Sequence, residues 1–265
     1  MLSLPTFGFM RSYRGTHVLI TGASSGLGAE FATQFAARGA DVVLVARRED
    51  RLVELAGRLE REHGISAVPI ALDLGAPDAP AKLRAQLDER GIRVQSLVNN
   101  AGFGAKGAFA EADPARIQEM ITLNVSTLVG LTREFLPDLT GVLVNIASTA
   151  AYQPCPQMAV YGATKAFVLS FSEALSYETR GSGLHVLTVS PGPTSTEFFD
   201  VVGTTDAAFG RFETAEQVVS RTMRELDRSR PRPSFVSGTM NAFTARMSTL
   251  APRRLALAIS GRVLK

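Results

Sequence analysis

Apolar runs of strand length recur along this chain, at His17–Thr21, Asp41–Ala46, 67–72, 96–99, Val142–Ile146 and 184–189, all rich in Val, Leu and Ile. Residues 27–38, 51–63, 79–90, 114–135 and 157–180 fill the intervals with helical periodicity. The strand runs are continuous and do not alternate with polar residues, which is the pattern of parallel strands covered on both faces. Strands of that kind, joined by helical crossovers, predict an α/β fold: a Rossmann-like doubly wound parallel sheet in a single domain. At 265 residues and 45% hydrophobic content, the chain has enough apolar material for one core.

The pattern weakens past Pro193. Residues 194–212 read as a substrate loop or lid, 214–227 as a helix, Ser234–Val236 as a last strand and 241–265 as a Pro-interrupted, Arg-bearing tail. The expected organisation is a leader at 1–14, a main domain at 15–240 and the tail. The leader lacks the basic start, long apolar centre and cleavage site of a signal peptide. No run reaches the roughly eighteen apolar residues of a membrane span. The formal charge is +3, with basic residues scattered among nearly as many acidic ones, so nucleic acid is not an expected partner. Cys155 is the lone cysteine and makes no internal disulfide, which fits a cytoplasmic location. No metal site is expected. The tail joins Arg246, Arg253, Arg254, Arg262 and Lys265 to Met247, Leu250, Leu255, Leu257, Ile259, Val263 and Leu264. Docking on its own fold or on another subunit is the expectation for it, with contact to an anionic membrane surface as the alternative.

The first strand runs into Gly22, Ala23, Ser24, Ser25, Gly26, Leu27 and Gly28, and then into a helix. Glycines in that context let backbone approach a pyrophosphate at a helix N-terminus. The spacing differs from G-x-G-x-x-G, and a helix-capping turn is the structural alternative. Gly22, Ser24 and Gly26 also match the G-x-S-x-G elbow of an α/β-hydrolase, which would use Ser24 as nucleophile. Only His63 and His185 follow, at a helix end and a strand start, where a triad histidine is poorly served.

After the second strand an NAD site usually places a carboxylate against the ribose hydroxyls. Here Arg47 and Arg48 stand instead, and two guanidiniums can fork onto the 2′-phosphate of NADP(H). They are otherwise solvated residues ahead of a helix. Tyr161 and Lys165, four apart on the 157–180 helix, share one face. An ammonium close by favours phenolate, lowering a pKa that is about 10 in free tyrosine. Tyr161 would then exchange a proton with a substrate oxygen.

Several motifs agree in order over about residues 15–199: the Gly22, Gly26, Gly28 loop; Asp73-Leu74; Asn99-Asn100-Ala101-Gly102; Asn124; Ser148; Tyr161-x-x-x-Lys165; and Pro191-Gly192-Pro193-Thr194. The chain thereby resembles the short-chain dehydrogenase/reductase family of the roughly 250-residue kind. The resemblance implies an oxidoreductase that interconverts a carbonyl and an alcohol with NADP(H). Its tetrad would be Asn124 holding a relay water, Ser148 bonding the substrate oxygen, Tyr161 as acid or base, and Lys165 tuning Tyr161 while holding the nicotinamide ribose. By the same resemblance Ser24, Ser25, Leu27, Asp73, Leu74, Asn100, Ala101, Gly102, Pro191, Gly192 and Thr194 would contact the cofactor. A homodimer or homotetramer is implied as well.

Residues 149–157, Phe103 and Phe198-Phe199 form an expected apolar substrate wall, with Cys155 a small wall residue, pointing to a hydrophobic ketone, aldehyde or secondary alcohol. A cofactor-binding sensor or scaffold without turnover is the alternative of another class.

Overall fold

The computed structural model describes residues 11–198, Val202 and residues 211–263. Seven strands form one parallel sheet in the order β3-β2-β1-β4-β5-β6-β9. They are β1 His17–Thr21, β2 Asp41–Ala46, β3 Ala67–Ala71, β4 Val94–Asn99, β5 Val142–Ile146, β6 His185–Ser190 and β9 Ser234–Val236. β7 Thr194–Ser195 and β8 Glu213–Thr214 pair separately. Strand order reverses between β1 and β4, which opens a crevice at the carboxyl ends of the strands. Pro69 sits in β3, at one edge of the sheet, where its missing N–H costs no ladder bond to a further strand.

Successive residues of each strand point to opposite faces, so the continuous apolar runs feed two cores. On one face Val18, Ile20, Val42 and Leu44 meet Phe31 and Phe35 of α1 (Gly26–Ala36), Leu52 of α2 (Glu49–His63) and Met223 of α7 (Ala215–Leu226). On the other, Leu19, Val43 and Leu97 meet Leu83 of α3 (Ala79–Glu89), Phe135 of α5 (Leu128–Phe135) and Leu175 of α6 (Ala159–Glu178). The packed core begins ahead of Gly15: Tyr13 is buried with its ring 4.9 Å from that of Phe35.

The helix expected over 114–135 is helical throughout but not uniform. α4 (Pro114–Ile121) and α5 flank a π-helical turn, Thr122–Thr127, which carries Asn124. α6 starts later than expected, because Gln157 takes a φ of 63° and breaks the chain direction before Ala159. The C-terminal tail is two helices, α8 (Thr239–Leu250) and α9 (Arg253–Val263), parted at Pro252. The parts of the expected lid at 199–201 and 203–210 lie outside the described residues, as do 1–10 of the leader.

Candidate active site

The β1-to-α1 turn reaches its shape through glycine. Gly22 and Gly26 take positive φ, 66° and 53°. A Cβ on Gly28 would run into the Gly22 carbonyl oxygen and stand 2.7 Å from Asn100 Nδ2, so only glycine lets α1 start this close to β1. Asn100 Nδ2 donates to the Thr21 carbonyl at 2.9 Å, while the Asn100 and Ala101 amides donate to Thr21 Oγ1, both at 3.0 Å. The loop after β4 is thereby stitched to the loop after β1. Ser25 caps α1 without a side-chain hydrogen bond, and the first turn holds no acidic residue. That helix terminus presents free N–H donors and positive dipole to an anion, which fits a dinucleotide pyrophosphate.

Arg48 follows β2 and spans the same region. Its Nη2 donates to Ser24 Oγ at 3.0 Å and Ser25 Oγ at 2.8 Å, and its Nη1 pairs with Glu197 Oε2 at 2.8 Å. Arg51 binds the other Glu197 oxygen. The hydrogen bond from Arg51, then that from Arg48, pushes the Glu197 carboxyl down to about 2. Arg47 is exposed and makes no salt bridge among the described residues. Neither Arg51 nor Glu197 was expected as a site residue; Glu197 lies 149 positions from Arg48, and no local pattern announces the meeting. Thr196 lies beside it, where its side chain covers Gly26.

A buried polar ladder sets the other end. Asn99 Nδ2 donates to Thr132 Oγ1 at 3.0 Å and Asn145 Oδ1 at 2.9 Å, and Asn145 Nδ2 donates to Ser172 Oγ at 2.8 Å. These bonds pin α5 and α6 to β4 and β5 and so set where the first turns of α6 project. From there Lys165 Nζ donates to the Ile146 carbonyl at 2.9 Å and lies 5.8 Å from the Tyr161 ring centroid. Asn124, 1% exposed, accepts from the Phe103 amide at 3.1 Å and donates to the Phe103 carbonyl at 2.9 Å. Its Nδ2 also donates to Thr164 Oγ1 at 3.1 Å, tying the π turn to α6. Ser148 Oγ accepts from the Ala150 amide at 3.1 Å.

The pKa of Tyr161 moves opposite to the direction that its spacing from Lys165 implies. Burial pushes its phenol up to about 12, and the Ser148 hydroxyl offsets only part of this. Lys165, also buried, is itself pushed down to about 8. Desolvation disfavours the charged form of each. A phenol raised in this way holds its proton near neutral pH.

One cleft of about 890 Å³ gathers the expected residues. Gly22, Ser24, Ser25, Gly26, Leu27, Arg47, Arg48, Asp73, Leu74, Asn100, Ala101, Gly102, Ser148, Tyr161, Lys165, Pro191, Gly192 and Thr194 all line it. Gly28 and Asn124 do not; they act behind the wall, through helix packing and the Phe103 backbone. Phe103, Cys155, Met158 and Phe198 wall the end near Tyr161, and the Phe198 ring lies 5.5 Å from that of Tyr161. Burial pushes the Cys155 thiol up to about 11, consistent with a wall residue. Arg116 stacks 3.9 Å over Phe103 and is a cation at this mouth that sequence reasoning missed. No histidine lines the cleft, and Ser24 bonds Arg48, so the hydrolase arrangement is not assembled.

The family model described as short chain dehydrogenase matches residues 16–207. Sulfoacetaldehyde reductase 2 of Chromohalobacter salexigens is 40% identical over 187 residues, 68% of this chain and 73% of that protein. Serine 3-dehydrogenase of Agrobacterium fabrum is 38% identical over 186 residues, again 68% of this chain and 73% of that protein. A short-chain dehydrogenase from Sphingobium yanoikuyae, solved in complex with NADPH, is 36% identical with a TM-score of 0.78, covering 92% of this chain and 95% of that one. The chain belongs to the short-chain dehydrogenase family and is an oxidoreductase of the kind that uses a nicotinamide dinucleotide.

Proposed function

We propose that the protein is an NADPH-dependent reductase of hydrophobic ketones or aldehydes, running to secondary or primary alcohols and reversible in principle. The observation that carries this reading is the juxtaposition, in one cleft, of Tyr161, Ser148 and Lys165 with the guanidiniums of Arg47 and Arg48. A cavity of about 890 Å³ has room for a dinucleotide and a small substrate.

Bound NADPH would supply the hydride. The Gly22 to Gly28 loop and the α1 N-terminus would hold its pyrophosphate, and Arg47 and Arg48 its 2′-phosphate, a charge-assisted contact that NADH cannot offer. Asp73, Leu74 and the backbone of Asn100 to Gly102 would border the adenosine, and Pro191 to Thr194 the nicotinamide amide. Ser148 would hold the carbonyl oxygen by a hydrogen bond. Tyr161 would give its phenolic proton to that oxygen as negative charge develops there. Lys165, anchored on the Ile146 carbonyl, would stabilise the resulting phenolate and hold a ribose hydroxyl. Asn124 would hold the Phe103 backbone in place from behind the cleft wall.

The apolar wall of Phe103, Cys155, Met158 and Phe198 supports a hydrophobic substrate. Exposed Phe167 and Tyr177 on α6 support assembly into a homodimer or homotetramer through α5 and α6. The lone buried cysteine supports a cytoplasmic setting. The reaction is tested by following loss of NADPH absorbance over a panel of aromatic and aliphatic aldehydes and ketones, with NADH in parallel. Turnover with apolar carbonyls and NADPH is expected; turnover confined to NADH, or to charged carbonyls, would refute the cofactor or the substrate half respectively.

A further inference from the structure

Eight of the 28 basic residues and none of the 25 acidic ones lie beyond Asp227, so the rest of the chain is net acidic. On α8 and α9 this charge is Arg246, Arg253, Arg254 and Arg262, all exposed and none in a salt bridge among the described residues. The same helices expose large apolar side chains. Met240, Phe243, Met247 and Leu250 follow one another at intervals of three, four and three residues, which puts them in one stripe along α8. They are 58%, 62%, 50% and 69% exposed, while Asn241 and Ala245 on the opposite side are buried. Leu255 and Ile259 share an exposed face of α9 with Arg262.

Charge decides what covers this surface. A second copy would set the arginines against their own images, with no carboxylate on either face to receive them. A nucleic acid would accept the arginines and leave the Phe, Met and Leu stripe in water. An anionic phospholipid surface satisfies both, since the acyl boundary takes the apolar side chains and the headgroup phosphates take the guanidiniums. We propose that α8 and α9 dock this protein on an anionic phospholipid surface. No helix among the described residues is long and apolar enough to cross a membrane, so the pair lies on the surface and does not span it.

The buried side of α8 packs on the turn Thr149–Tyr152, and Ser248 Oγ donates to Gln153 Oε1 at 2.9 Å. Gln153 lines the cleft. Docking therefore holds the substrate wall about one helix diameter, roughly 10 Å, from the lipid. The docking rests on charge and apolar exposure alone and stands independently of the reaction proposed above.

Co-sedimentation of the whole protein with vesicles of phosphatidylcholine, and of phosphatidylcholine mixed with phosphatidylglycerol, tests it. Binding to the mixed vesicles, loss of that binding at high salt and little binding to phosphatidylcholine are expected. The double variants Phe243→Ser with Leu250→Ser, and Arg253→Gln with Arg254→Gln, should each lower the partition coefficient about tenfold or more. Circular dichroism and melting report whether each is folded, and the exposed arginine pair keeps the test intact should the apolar pair misfold. Wild type left in the supernatant of both vesicles, or bound equally to both, would overturn the proposal. So would an apolar variant that changes the subunit number by light scattering while its vesicle binding is unaltered, since α8 would then be a contact between copies.

Discussion

Glu197 Oε2 lies 2.8 Å from Arg48 Nη1, joining the segment after β7 to the residue that caps α2 behind β2. A carboxylate thus stands beside the guanidiniums proposed to take a 2′-phosphate, brought by a part of the chain far from β2. It would compete with a phosphate held there. The pair is about 40% exposed on each side, so water and salt screen it and the effect is modest. Glu197→Gln is expected to lower the KM for NADPH about two- to fivefold and to leave NADH nearly unchanged. Steady-state kinetics with both cofactors checks this, and a selective rise in the KM for NADH would instead make Glu197 a ribose acceptor.

Arg47 is exposed and pairs with nothing among the described residues, so its removal isolates the cofactor contact. A charge-assisted hydrogen bond to phosphate is worth about 1.5–3 kcal/mol. Arg47→Ala should raise the KM for NADPH about tenfold or more and change that for NADH less than about twofold. Arg48→Ala should raise both, because Arg48 also braces Ser24 and Ser25.

Burial pushes Lys165 from its ordinary 10.5 down to about 8. Between those values the unfolded chain holds the proton that the folded chain has lost. Stability owed to this group therefore rises with pH through that window. The Tyr161 phenol, pushed up from 10.0 to about 12, works in the opposite sense only above 10. Urea unfolding at about pH 7 and about pH 9.5 should show wild type gaining roughly 2 kcal/mol relative to Lys165→Met. A difference independent of pH would mean that Lys165 keeps its charge.

Gly28→Ala places a Cβ against the Gly22 carbonyl oxygen and Asn100 Nδ2. Neither is the free end of a flexible chain, so α1 must shift away from β1. The expected loss is about 1–3 kcal/mol in urea unfolding, with weakened binding of both NADPH and NADH by fluorescence titration. Full stability and binding in this variant would contradict the role given to the turn.

The sheet was legible because strands covered on both faces must be apolar throughout, and each helical interval is long enough for a crossover. The cleft was legible for a related reason: the Gly loop, Arg47, Asp73, Asn100, Ser148 and Pro191 all follow strand ends, which a parallel sheet brings to one edge. The π turn was not legible, since one wider turn barely disturbs the apolar period of residues 114–135 while shifting Asn124 toward Phe103. Glu197 was hidden because its partners are set by tertiary return of the chain. The proton affinity of Tyr161 is not legible from spacing, which reveals the neighbour Lys165, whereas desolvation depends on everything packed around the pair.

NADPH oxidation with a productive apolar carbonyl, comparing wild type with Tyr161→Phe alongside NADPH binding to both, puts the proton donor to the test. A loss of kcat of about a hundredfold or more with NADPH affinity preserved is the predicted result. Equal turnover by the two proteins would contradict the assignment of Tyr161 as proton donor, and NADPH binding without turnover by wild type on any carbonyl would point to a sensor.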